Sequence, residues 1–198
     1  MPAAKTTNEG GEPVPPGDRA RASVLVRAPQ AFAFATFVDD IDRWWRRGLA
    51  YRVARGSAGV LHLERGVGGR LFETLEAATR GGGERTVQTG RVTVWEPPHR
   101  LVFEWRAVNF TADEKTEVEV VFEDRSLGPN DDDPRTYVTV THSGFSALRP
   151  DHPVRHGADA PVFVGRMASW WGGLLSALRE DLVQAKQASN AETKADIE

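Results

Sequence analysis

The hydrophobic pattern near the carboxyl end of the chain predicts a long amphipathic helix over residues 161–185. Its apolar side chains recur at steps of three and four, which places them on one face of a helix. They are Phe163, Met167, Trp170, Trp171, Leu174, Leu178 and Leu182. Gly172 and Gly173 interrupt this pattern, because each glycine costs about 1 kcal/mol against alanine inside a helix. Either a closely packed neighbour or space beside the two tryptophans would account for them.

Alternating apolar and polar positions predict a series of β-strands across the middle of the chain. The predicted strands lie at residues 21–28, 49–55, 60–65, 70–77, 85–95, 100–107, 115–123 and 136–142. Most of them are separated by turns rich in glycine, proline and aspartate, and short turns of this kind join antiparallel neighbours. In the last three strands one face is apolar and the other is charged or polar, which is typical of a sheet covered on one side.

Two short helices are predicted between the first strand and the rest of the sheet. The first covers residues 30–39, and the second covers residues 43–47, with Asp42 as its cap and Gly48 at its end. Together the elements predict an α+β fold in which a curved antiparallel sheet of six or seven strands wraps around the long C-terminal helix. One sheet and one helix leave space between them, and we expect a ligand cavity there.

The composition favours one globular domain without nucleic-acid binding or thiol chemistry. The 198 residues carry 25 basic and 28 acidic side chains, a net charge of −3, whereas nucleic-acid binding favours a basic excess. The chain has no cysteine, which excludes disulfides and thiolate metal sites. We predict one domain over residues 21–187, with disordered polar tails at residues 1–20 and 188–198. Because there is no apolar run of about 20 residues and no signal peptide, a cytoplasmic protein is expected.

Four stretches of the chain carry recognisable motifs. They are Val26-Arg-Ala-Pro-Gln-Ala-Phe32, Gly69-Arg-Leu-Phe-Glu73, Glu96-Pro-Pro-His-Arg-Leu-Val-Phe-Glu-Trp105 and Val140-Thr-His-Ser-Gly-Phe145. Together they resemble the START-like or Bet v 1-like superfamily, also called SRPBCC, in its branch related to the C-terminal domain of the Hsp90 ATPase activator. The resemblance extends over residues 21–185 and implies a helix-grip fold. Members of the superfamily bind lipids, hormones or polyketides, and some cyclise polyketides.

We predict that the domain binds a small hydrophobic ligand, such as an aromatic one, between the sheet and the C-terminal helix. Affinity would come from buried apolar area, and one or two polar groups such as His142 would orient the ligand. The candidate ligand-binding residues are Phe37, Trp44, Trp45, Phe72, Leu101, Phe103, Trp105, Val120, His142, Phe145, Met167, Trp171 and Leu174. No cofactor and no metal site are predicted.

An enzyme on the same scaffold, such as a cyclase, dehydratase or hydrolase, is the alternative function. Strand alternation places His142 on the inward face, where it would serve as a general acid or base. A hydrogen-bonded histidine at a strand end is the competing interpretation. No second catalytic group is evident, so the sequence favours a binding protein over an enzyme. The facing of Trp95 stays open, and so does that of Glu73, because Phe72 and Thr74 compete with it for the inward positions.

A third interpretation is an interaction protein whose exposed aromatic side chains dock onto a partner such as a chaperone. A homodimer is a further expectation. The separate N-terminal domain of the full Hsp90 co-chaperone has no counterpart in this chain, which counts against direct chaperone activation.

Overall fold

The computed structural model describes residues 18–48, 50–53, 59–75, 83–106, 110–128, 131–155 and 157–195. In chain order, the strands are β1 (Arg19–Val26), β2 (Gly59–Leu63), β3 (Arg70–Leu75), β4 (Arg85–Glu96), β5 (Arg100–Trp105), β6 (Thr116–Asp124) and β7 (Thr136–Ser143). The helices are α1 (Gln30–Asp39), α2 (Ile41–Trp44) and α3 (Ala160–Ala195). Between β7 and α3 lie two 3₁₀ turns, Phe145–Ala147 and Pro153–Arg155.

The strands form one antiparallel sheet in the order β1-β7-β6-β5-β4-β3-β2. Strands β2 to β7 are neighbours in the order in which they occur along the chain, as their connections predict. β1 pairs with β7, from Arg19 opposite Ser143 to Val26 opposite Thr136. The predicted α+β helix-grip fold, with two short helices after the first strand, is therefore confirmed.

The predicted alternation puts the apolar side chains of the late strands on the face that the helices cover. Val118, Val120 and Phe122 of β6 are buried, whereas the glutamates that alternate with them are half-buried or exposed. The large side chains of this main core include Phe37, Trp44, Leu71, Leu101, Phe103, Phe122, Trp171, Leu174, Leu175 and Leu178. The chain's own side chains therefore fill the middle of the interface between the sheet and α3.

The predicted strand over residues 49–55 is wrong where the structure can be compared with it. Residues 50–53 form turns, while Leu49 and residues 54–58 lie outside the described residues. The turns follow Gly48, whose φ of 110° favours glycine and whose carbonyl oxygen accepts hydrogen bonds from the two N–H groups at positions 51 and 52. Local alternation therefore loses to turn geometry here.

The second short helix begins and ends earlier than the predicted range of residues 43–47, because it is α2. Asp42 lies within this helix and does not cap it. Its carboxylate instead accepts hydrogen bonds from the side chains of Arg47 and Arg52 and from the Leu61 N–H. These tertiary contacts outweigh the local preference of aspartate for a cap.

Both ends of the described chain extend past the predicted domain. β1 begins at Arg19, and Asp18 before it accepts hydrogen bonds from the N–H and the hydroxyl of Ser146. α3 runs to Ala195, because its last three turns lack glycine and proline and are rich in good helix formers. The predicted tails otherwise fall on residues 1–17 and 196–198, which lie outside the described residues. None of the described helices is long and apolar enough to cross a membrane.

Replacing Gly172 with alanine should stabilise the protein. Nothing lies within 4 Å of the place where a Cβ atom at Gly172 would stand, so the substitution reduces the entropy of the unfolded chain without a clash. We expect the free energy of unfolding to rise by about 0.5–1 kcal/mol in urea denaturation followed by circular dichroism.

Gly90→Ala is the opposite control for this prediction. A Cβ atom at Gly90 would stand 2.5 Å from the Glu104 carbonyl oxygen and 3.1 Å from the Leu71 Cβ atom, so we expect a loss of stability. A loss in Gly172→Ala as well would contradict the prediction and would show that the space beside Gly172 is needed.

Candidate functional site

A cavity of about 190 Å³ lies at one end of the interface between the sheet and α3, beside residues 50–53. We call it the aromatic cavity. Its lining comes from the chain after α2, from strands β2 to β5 and from α3. The lining residues are Trp45, Ala50, Tyr51, Arg52, Val53, Leu61, Leu71, Glu73, Thr89, Trp105 and Trp170.

Four aromatic rings line the aromatic cavity and contact one another. The Trp45 ring centroid lies 5.5 Å from that of Trp105 and 5.8 Å from that of Trp170. Trp105 and Trp170 are 5.5 Å apart, and Tyr51 stacks on Trp170 at 5.5 Å with 18° between the ring planes. These spacings are typical of attractive aromatic pairs. Ring-to-ring contact therefore sets the shape of the wall without a ligand.

Residues 50–53 are held against the helices by two tryptophan N–H groups. Trp45 Nε1 donates to the Tyr51 carbonyl oxygen at 3.0 Å, and Trp170 Nε1 donates to the Ala50 carbonyl oxygen at 2.8 Å. A buried tryptophan usually finds such a partner for its N–H. The same two side chains thus form the wall of the cavity and fix the segment that closes one side of it.

Arg52 and Glu73 form the polar end of the aromatic cavity, and both are buried. The Arg52 guanidinium donates to the Asp42 carboxylate at 2.7 Å and to three backbone carbonyl oxygens. Its Nη1 atom lies 3.9 Å from Glu73 Oε1, and Glu73 accepts a 2.8 Å hydrogen bond from the Val53 N–H. Buried charges are tolerated when they are paired and hydrogen-bonded in this way.

The environment of Asp42 confirms that this group of charges is strongly coupled. Burial acts to raise the pKa of Asp42, but hydrogen bonds from the Leu61 N–H and from Arg52 outweigh it and hold the pKa below its ordinary value. Two carboxylates, Asp42 and Glu73, therefore flank one buried guanidinium.

The structure answers the open question of which β3 residues face inward. Leu71 and Glu73 line the aromatic cavity. Phe72 lies on the outer face, where its ring stacks on His62 at 4.8 Å and the Arg70 guanidinium carbon lies 4.5 Å from its centroid. Phe72, a predicted ligand-binding residue, is therefore not part of this cavity.

The family model described as Activator of Hsp90 ATPase homolog 1-like protein matches residues 27–161. The chain belongs to this family. No curated protein matches it significantly. Among solved structures, it is similar to a Nitrosomonas europaea protein at 11% identity and a TM-score of 0.54, which covers 88% of this chain and 99% of that one. A Staphylococcus aureus protein of unknown function has 8% identity, a TM-score of 0.53, and coverage of 85% and 96%. A Rhodobacter sphaeroides protein has 18% identity, a TM-score of 0.51, and coverage of 86% and 97%. These likenesses show the fold alone.

In this member of the Hsp90 ATPase activator homolog family, His142 belongs to a buried chain of hydrogen bonds. Trp171 Nε1 donates to His142 Nδ1 at 3.2 Å, so Nε2 carries the proton and donates to Thr116 Oγ1 at 2.7 Å. The Thr116 hydroxyl donates in turn to the Trp105 carbonyl oxygen at 3.3 Å. Burial lowers the pKa of His142 to about 3, so the ring is neutral at pH 7.

These contacts leave His142 without the geometry of an acid or base for the aromatic cavity. Both ring nitrogens are engaged within the protein, and His142 is not one of the described residues that line this cavity. The interpretation as a hydrogen-bonded histidine near a strand end fits the contacts.

Of the predicted ligand-binding residues, Trp45 and Trp105 line the aromatic cavity. Phe145 and Met167 lie in a smaller cluster around Phe163. The others, apart from Phe72 and His142, are buried in the main core; they are Phe37, Trp44, Leu101, Phe103, Val120, Trp171 and Leu174. A contact between any of these residues and a ligand stays a prediction.

Sequence reasoning did not identify Tyr51, Arg52, Thr89 and Trp170 as residues of the cavity. For Trp170 a signal existed, since adjacent helical residues point about 100° apart. Of two neighbouring tryptophans, one can enter the core while the other reaches the rim. No local signal marks Arg52, because its burial depends on a carboxylate ten residues away in the chain. Trp95, whose facing was open, turns inward and its ring centroid lies 5.2 Å from that of Phe34.

Proposed function

We propose that the protein binds a small hydrophobic molecule with a single aromatic ring in the aromatic cavity. The observation that carries this proposal is the cavity itself, which combines about 190 Å³ of space, four aromatic side chains and a buried polar end. A largely apolar pocket with a few placed polar groups is the usual form of a small-molecule site.

The size of the aromatic cavity favours one ring with a short substituent. An apolar protein cavity of about 150 Å³ accepts benzene, and pockets for drug-sized molecules measure about 300–1,000 Å³. At about 190 Å³, this cavity lies near the lower of these sizes. A single-ring ligand therefore fits better than a lipid or a polyketide with several fused rings.

The preformed wall supports binding without a large rearrangement. The rings of Trp45, Trp105 and Trp170 already contact one another, and hydrogen bonds hold residues 50–53 in place. A ligand would therefore order few side chains on entry, which reduces the entropic cost of binding. Its affinity would come from apolar contact with the rings and from the buried polar groups.

Filling the cavity should abolish binding. Val53 lines the cavity, so we expect Val53→Trp to occupy the space with an indole ring. Isothermal titration calorimetry should then show affinity for toluene reduced by about tenfold or more relative to the wild type. Val60→Trp is the matched control, because Val60 is 43% exposed on the outer face of β2 and the same substitution there leaves the cavity open.

Two results would contradict the proposal. Equal affinity of Val53→Trp and Val60→Trp for toluene would show that toluene binds elsewhere, and no binding by the wild type would show that the cavity is not a site for a single ring. Native mass spectrometry of freshly purified protein gives a second readout. A retained molecule of single-ring size in the wild type, absent from Val53→Trp, supports the proposal.

A further inference from the structure

We infer that the ligand of the aromatic cavity carries a hydrogen-bond donor beside its ring, and that a protonated primary amine suits the site best. This inference rests on the proposed function, because it names the class of molecule bound at the same site. It follows from the charges and the hydrogen-bond roles of the polar groups that face the cavity.

Glu73 is the acidic group that lines the aromatic cavity. Its side chain is almost fully buried, so water screens its charge poorly and nearby interactions are stronger than in solvent. A carboxylate offers acceptor oxygens to a ligand and no donor. A ligand carboxylate placed at this end of the cavity would meet a like charge.

The Arg52 guanidinium does not offer the cavity an open binding site for an anion. It already donates to the Asp42 carboxylate and to three backbone carbonyl oxygens. Its charge lies between Asp42 and Glu73, so these three side chains carry one negative charge in excess. Arg47 also pairs with Asp42, but its side chain is 56% exposed, and solvent screens its contribution.

The neutral polar groups of the lining are also largely acceptors or committed donors. Thr89 Oγ1 donates its proton to the Leu71 carbonyl oxygen, so its lone pairs remain as acceptors. The ring N–H groups of Trp45 and Trp170 are bonded to backbone carbonyl oxygens. The ring N–H of Trp105 is a neutral donor that suits a ligand oxygen, but it does not offset the charge of Glu73.

The aromatic rings favour a cation in the same space. An ammonium group within about 6 Å of the face of a tryptophan or tyrosine ring is attracted by the negative face of that ring. The rings of Trp45, Tyr51, Trp105 and Trp170 and the Glu73 carboxylate line one cavity. A protonated amine on a ring would therefore meet aromatic side chains and a carboxylate together.

Toluene, benzylamine and benzoate test the inference, since they share one ring and differ in the group attached to it. We expect benzylamine to bind the wild type about tenfold or more tightly than toluene in calorimetry near neutral pH, and benzoate to bind more weakly than toluene. Glu73→Gln keeps the shape of the side chain and removes its charge. In that variant the preference for benzylamine over toluene should fall by about tenfold.

Glu104→Gln is the matched control for charge. Glu104 lies on the outer face of β5, next to Trp105 in sequence, where it pairs with Lys115, so its substitution should leave the preference unchanged. Thr89→Val is a second test variant, which removes the other acceptor and should lower the preference several-fold. If Glu73→Gln does not fold, Thr89→Val and the ranking of the three probes on the wild type decide the matter.

Benzoate binding as tightly as benzylamine would overturn the inference, and so would an unchanged preference in folded Glu73→Gln. In both cases toluene binding would leave the proposed function standing. Failure of all three probes to bind the wild type would overturn the proposed function and the inference together.

Discussion

Arg52→Met is expected to lower the free energy of unfolding by about 3–5 kcal/mol. The substitution removes a guanidinium whose side chain is 3% exposed and leaves the Asp42 and Glu73 carboxylates without the cation between them. It also removes the donors to three backbone carbonyl oxygens. An uncompensated buried charge costs more than the pair contributes when it is intact. Urea denaturation followed by tryptophan fluorescence measures the loss.

Arg47→Met is the matched control for this prediction. Arg47 also bonds to the Asp42 carboxylate, at 2.8 Å, but its side chain is largely in solvent. We expect it to cost about 1 kcal/mol or less. Equal losses in the two variants would contradict the view that burial of the Arg52 guanidinium makes its removal so costly.

Lowering the pH from 6.5 to 4.5 is expected to cost about 3 kcal/mol of unfolding free energy through His142 alone. Burial lowers the pKa of His142 from 6.5 to about 3 in the folded protein. Between these two values the unfolded chain binds more protons than the folded one, so stability falls as the pH falls. The contribution of the neutral ring is fully present above the unfolded pKa and is lost progressively below it.

His142→Gln tests this account, because glutamine can accept from Trp171 and donate to Thr116 but does not titrate. We expect the difference in unfolding free energy between wild type and variant to change in favour of the variant as the pH falls. Other titrating groups contribute equally to both proteins and cancel. His99→Gln, at an exposed position, should follow the wild type at every pH. A constant difference between wild type and His142→Gln from pH 7.5 to 4.5 would contradict the prediction.

The inward faces of β5, β6 and β7 could be predicted because their alternation is unbroken. β3 and β4 are different, since their pairing shifts between Leu71 and Phe72 and their neighbours shift again between Val92 and Val94. Glu73 also breaks the rule that inward positions are apolar. Hydrophobic periodicity cannot reveal that a distant arginine compensates such a charge.

The place of the cavity could not be predicted from the sequence. The pattern of tryptophans indicated a space at the middle of the interface, but Phe103, Trp171 and Leu174 pack tightly there. Whether aromatic side chains fill a space or surround it depends on packing at the scale of a single methyl group. That fit is set by backbone positions and rotamers, so residue spacing alone indicates which rings face inward and not where they leave a gap.

The N-terminal strand must wait during translation for its partner. Val26 of β1 pairs with Thr136 of β7, so the ribosome makes the one more than a hundred residues before the other. At about 5–20 residues per second, β1 spends roughly 5–20 s without its neighbour. Throughout that interval the backbone N–H and carbonyl groups of the strand are open to pairing with other nascent chains. The sheet can therefore close only after nearly the whole domain has been synthesised.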